Sequence, residues 1–185
     1  MPPLVRFCAV AAPGLMLVYG LLRLVDGLDG DRHNGPAWDV GHVAFFAAVV
    51  LFAVLAVALA RINRPWTIAV PAVLATLFGA GCFLWVITGD LSERFQNDYP
   101  LPGSLDLLGP LLFQIGLLVL LVQLVIARRL PVWSPVAVLI GFAVIPVSLD
   151  LLPLGSVLVG AGLLPLAHRV HTFSTASKGS LPQDQ

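Results

Sequence analysis

Six stretches of the chain are almost continuously apolar, and short polar segments separate them. Their length and hydropathy predict spanning helices over about residues 5–25, 39–60, 66–88, 105–127, 134–149 and 151–167. The first four each reach the roughly 20 residues that a hydrocarbon core about 30 Å thick requires. The last apolar region, residues 134–167, would be about 50 Å long as one helix, too much for a single crossing. The stretch SLDLLPLGS in its middle supplies a charge, a proline and a glycine, and the region divides there. Two short crossings and a re-entrant hairpin both fit, with the same parity. The expected fold is therefore an all-α integral membrane bundle of six transmembrane helices, arranged as three antiparallel hairpins within residues 1–173.

The first run follows Arg6 and so also has the outline of a signal peptide. At about 20 residues it exceeds the usual apolar core of about 7–15, and LVDGLDG after it offers no small-x-small cleavage site. It reads as a retained helix, bent at Pro13. Pro71 falls in or near the first turn of the third span, where a missing N–H is tolerated.

Basic residues orient this scheme. With six crossings Arg6, Arg61, Arg64, Arg128, Arg129, Arg169 and Lys178 share one side, and only Arg23, Arg32 and Arg94 fall on the other. That bias places both termini in the cytoplasm. Five crossings would move Arg169 and Lys178 across and spoil it. The acidic residues then gather on the extracytoplasmic side, where all of them lie except Asp184. Such a face solvates the loops and also attracts cations.

Each returning helix begins behind a carboxylate: WDVGHVAFF at Asp39, LDLLGPLLF at Asp106 and LDLLPLGSV at Asp150. An aspartate there caps the helix and complements its dipole, which contributes about 1 kcal/mol. Asp150 strains that explanation, because it lies between two short spans where an unpaired carboxylate is costly. Arg23 and Arg94 are its expected partners. His42 follows Asp39 by three residues, which puts both on one side of the second helix. The candidate ligand-binding residues are thus Asp39, His42, Asp106, Asp150 and Arg23.

The segment from Asp26 to His42 concentrates polar chemistry. Asp29, Asp31 and His33 are weak candidates for a divalent metal. Tested as a calcium loop from Asp29, the segment has Asp31 at the third place but Asn34 at the sixth and Val40 at the twelfth, so it fails. Asp26 to Gly30 resembles the D-x-x-D-G start of the CDP-alcohol phosphotransferase motif, and Gly35 to Asp39 its G-x-x-x-D. The Ala-Arg pair is absent, Val43 replaces the final aspartate, and that family's site faces the cytoplasm. The chain is accordingly not assigned to it.

Composition agrees with the pattern: 58% of residues are apolar and 11% charged. A soluble domain carries about 25% charged residues, so the surroundings of this chain are lipid. A net charge of zero argues against nucleic acid as a partner. No cofactor motif is present, and no lipidation motif. Cys8 and Cys82 lie in separate runs, at depths too different for a disulfide. Trp38, Trp66, Trp133 and Tyr99 fall near span ends, as interfacial aromatics do. Residues 174–185 are expected to be a disordered cytoplasmic tail.

Three functional classes fit. The first is a non-catalytic binding, accessory or assembly protein of the cell membrane with an acidic outer face. The second is a transporter of small solutes or ions, which would need a homo-oligomer to form a pathway. The third is an outer-leaflet intramembrane enzyme using Asp39, His42 and Asp150.

Overall fold

The structure is a computed structural model that describes residues 1–28 and 35–168. Its helices are α1 (Pro3–Asp26), α2 (Gly35–Ile62), α3 (Trp66–Leu91), α4 (Glu93–Asp98), α5 (Gly103–Ile126), α6 (Trp133–Val144) and α7 (Leu152–Ala167). A 3-10 turn, Leu149–Leu151, leads into α7. Asp29, Asp31, His33 and the tail 174–185 lie outside the described residues.

Among the described residues five helical stretches are long and apolar enough to cross a membrane: α1, α2, α3, α5 and Leu149–Ala167. The apolar helix α6 has only 12 residues, about 18 Å at 1.5 Å per residue, against a core of about 30 Å. Pro146 and the Ser148–Leu151 turn end the helical region before residue 149, the expected limit of that span. The first three helices outrun the expected spans. The second starts at Gly35 rather than residue 39 and runs to Ile62. The first continues through Pro13 as one helix.

The main packing partners are α1 with α2, α3 with α5, and α6 with α7. Contacts of α1 with α7, α2 with α3 and α5 with α6 join these pairs into a ring, across which α2 also meets α5. The ring is filled. Phe52 of α2, Phe113 of α5 and Phe142 of α6 meet edge to face, with Phe83 of α3 on Phe113 and Phe45 of α2 on Phe83. Leu55, Leu59, Leu117, Leu120, Leu121, Leu124 and Leu163 are buried around them.

Lipid is as apolar as these side chains, so close backbone approach has to supply much of the association. Small residues permit it. A Cβ on Gly79 would meet Phe113 Cβ at 2.7 Å, and the Gly109 carbonyl lies closer still. Gly141 and Gly155 stand against each other's carbonyls, at 2.7 and 2.6 Å from the added Cβ. Gly162 packs on Ser134, whose hydroxyl donates to the Gly162 carbonyl. Polar side chains inside the bundle find backbone acceptors. Thr76 and Ser156 donate back to the carbonyls of Ala72 and Leu152. Asn63 donates to Leu120 at 2.9 Å, which ties the end of α2 to α5. Gln114 reaches Leu139 on α6 and Gln123 reaches Pro65 before α3, on opposite faces of α5. Cys8 and Cys82 are free thiols, both buried.

Candidate functional site

Polar chemistry concentrates where α1 and α3 end and α2 and α5 begin. His42, in the second turn of α2, is buried. Its Nδ1 lies 2.9 Å from the Trp38 carbonyl and its Nε2 lies 3.5 Å from Oδ2 of Asp90 on α3. A carbonyl only accepts, so Nδ1 carries a proton and donates. Trp38 Nε1 donates to the backbone carbonyl of Asp90 at 3.2 Å, a second tie between α2 and α3. The indole and imidazole rings lie 3.9 Å apart.

Helix α1 closes the other flank. Tyr19 stacks on Phe45 at 4.6 Å and meets the His42 ring edge to face at 5.1 Å. Gly41 leaves the room, since a Cβ there would come within 3.3 Å of the Tyr19 ring. Arg23, Asp90 and Asp26 are the charged groups around the Tyr19 phenol. Asp26 is buried, and Arg23 Nε is buried without a hydrogen-bond partner among the described residues. One cluster thus joins three helices through a histidine, a carboxylate, a phenol and a guanidinium.

A pocket of about 300 Å³ opens at the same end, between α3, α4 and the start of α5. Trp85, Phe95 and Tyr99 wall it, with Gln96 and Asp106 as its polar lining residues. The sequence builds this wall locally. Ser92 caps α4 by accepting from Phe95 N–H, and the i,i+4 spacing then puts Phe95 and Tyr99 on one face, 5.6 Å apart. Trp85 lies 5.1 Å from Phe95, and its Nε1 donates to the Tyr99 carbonyl at 2.9 Å.

The sequence candidates are distributed unevenly. His42 and Arg23 belong to the cluster, and Asp106 belongs to the pocket. Asp39 is exposed, although three residues from buried His42, and the two do not converge. Asp150 is also exposed, on the 3-10 turn. None of the three aspartates is the N-cap residue, although Asp106 and Asp150 stand in the first turns of their helical segments, where a carboxylate complements the dipole. Asp39 is the fifth residue of α2, Asp106 follows a Pro102 cap without a side-chain bond, and Ser148 caps the turn that contains Asp150. Arg94 pairs with Asp98 at 3.6 Å. Among the described residues no group of three or more His, Cys, Asp or Glu side chains could hold a metal.

Sequence reasoning missed Asp90, Tyr19 and the Trp85–Phe95–Tyr99 wall. Asp90 stands 48 residues from His42, and nothing local to either announces the pair. The F-x-x-x-Y spacing of the wall was the one available signal.

Helices of this length and hydropathy define the class: a multi-pass integral membrane protein whose surroundings are the lipid bilayer. Compared with known protein families, curated proteins and solved structures, the chain matches none.

Proposed function

We propose that this protein is a non-catalytic binding protein of the cell membrane that takes up a small organic cation at its acidic, extracytoplasmic end. The observation that carries this reading is the pocket of Trp85, Phe95 and Tyr99 with Asp106 on its lining. Aromatic faces attract a desolvated cation by about 0.5–2 kcal/mol each, and a carboxylate supplies the counter-charge. Gly89, also on the lining, leaves space beside Gln96. The ring of α1, α2, α3, α5, α6 and α7 favours binding over transport, because phenylalanine and leucine fill its middle. Asp39 and Asp150 are exposed while His42 is buried, which lends less support to an outer-leaflet enzyme built on the three.

The test uses the full chain in detergent with tetramethylammonium as the probe, followed by saturation-transfer NMR of its methyl signal. Saturable binding that sodium does not displace is expected. Asp106→Asn is expected to weaken it about 5- to 10-fold, the scale of one lost charge-assisted contact. Equal binding by wild type and Asp106→Asn would sink the reading.

The topology belongs to the same proposal: six passages, both termini in the cytoplasm. Its supports are the one-sided basic residues and the cavity that Met1, Ile62, Arg128 and His168 line together. In chains carrying Cys8→Ala and Cys82→Ala, an impermeant maleimide should label Glu93→Cys on intact cells. Ser174→Cys should react only after permeabilisation. The reverse pattern overturns the orientation.

A further inference from the structure

At the opposite end of the bundle lies a cleft of about 610 Å³. Arg6, Arg128, Arg129 and His168 line it beside the apolar surfaces of Ile62 and Pro165, and among the described residues no carboxylate does. Arg6 stands in the first turns of α1, and its Nε is buried with no hydrogen-bond partner among the described residues. Arg129 is held in place by a bond from its guanidinium to the Ile62 carbonyl at 3.4 Å.

Arg128 carries a second, independent signal. Helix α5 ends in a Schellman motif: Arg129 N–H bonds the Leu124 carbonyl and Arg128 N–H bonds Val125, both at 2.8 Å. The residue between cap and exit adopts φ 56°, the left-handed region, and it is Arg128. Glycine takes that conformation without steric penalty, whereas any other L-residue is strained there. The chain therefore holds a guanidinium at this cleft in a backbone position that glycine would fill more easily. The same two bonds occupy carbonyls that would otherwise present the negative end of α5 to the cleft.

We infer that this cleft binds a phosphate ester, supplied by the headgroup of an anionic phospholipid. Guanidinium groups match phosphate oxygens in geometry and charge. Basic pockets among helices at a membrane surface hold anionic headgroups in this way. Ile62 and Pro165 give the glycerol end an apolar rest.

The full chain, delipidated in a neutral detergent, is titrated at constant ionic strength with dioleoyl phosphatidylglycerol, dioleoylglycerol or inorganic phosphate. Thermal unfolding reports each ligand. The phosphatidylglycerol affinity should exceed that of dioleoylglycerol by at least about tenfold, and Arg6→Gln or Arg128→Gly should each lose about tenfold of it. Arg94→Gln, a charge removed at the other end, should bind as wild type does. Without lipid, Arg128→Gly should unfold at or above the wild-type temperature, because glycine relieves the strained turn. A loss of lipid response in that variant therefore cannot be a folding defect. Equal affinities for the two glycerolipids, or full phosphatidylglycerol binding by both arginine variants, overturn the inference. Inorganic phosphate acting at the same concentration as phosphatidylglycerol overturns the lipid source and leaves free phosphate as the ligand.

Discussion

Replacing Gly116 with leucine is expected to separate α3 from α5 and to prevent recovery of a folded bundle. The reason is distance. A Cβ on Gly116 would sit 2.8 Å from Thr76 N, and the Ala72 carbonyl and Thr76 hydroxyl oxygens lie closer. Two of these are backbone atoms, and the third, the Thr76 hydroxyl, is itself bonded to the Ala72 carbonyl. They cannot swing aside as the tip of a flexible side chain can. Even Gly116→Ala should lower stability by about 1–3 kcal/mol, the usual cost of overpacking, and the longer leucine should cost more. Gly81 provides the comparison on the partner helix. A Cβ there meets nothing within 4 Å, so Gly81→Ala should be neutral or stabilising by up to about 1 kcal/mol through helix propensity. SDS-driven unfolding in mixed micelles measures both. Equal stability of the two alanine variants would show that the α3–α5 contact is looser than these distances require.

Phe113→Ala carries the second large effect. Phe113 touches Phe52, Phe83 and Phe142 together, at centroid distances of 5.8, 5.5 and 5.7 Å and near-perpendicular angles. Its removal opens a cavity where α2, α3, α5 and α6 face one another. In water-soluble cores such a truncation costs about 3–5 kcal/mol. Part of that figure is transfer from water, which a chain unfolded within lipid does not recover, so about 2–4 kcal/mol is expected here. What remains is lost dispersion and the edge-to-face pairs, each worth about 0.5–1.5 kcal/mol. Phe7, 60% exposed on α1, sets the scale for a lipid-facing ring, and Phe7→Ala should stay within about 0.5 kcal/mol of wild type. If both variants lose the same stability, the aromatic centre contributes no more than a lipid contact.

The two functional surfaces were legible to different degrees. Asp106 was identified because a carboxylate beginning an apolar helix is conspicuous in so hydrophobic a chain. Its partners Trp85 and Phe95 were not, because an aromatic residue near a span end is explained by the interface alone. His42 was identified for the wrong neighbour. Three residues along a helix turn Asp39 about 60° from His42, enough to leave one exposed while the other is buried against Asp90. The basic cleft was present in the sequence as a count of arginines on one side, yet that count could not tell scattered anchors from a shared cavity.

Hydropathy alone determined that this chain is a bundle of membrane helices and roughly where each runs. Inside lipid an unpaired backbone group is too costly, so every apolar run of sufficient length must be helical whatever it packs against. On the six-passage reading it also gathers most carboxylates at one end and most arginines at the other, Arg23, Arg32 and Arg94 excepted, because residues flanking successive helices alternate between the two ends. Only the tertiary structure decided which helices touch, that α6 is short, and that Gly79, Gly109 and Gly116 form the α3–α5 contact. It alone brought His42 to Asp90 and Arg6 to Arg128. In a medium as apolar as the side chains, shape complementarity between distant residues selects the partners, and shape is not written in any local pattern.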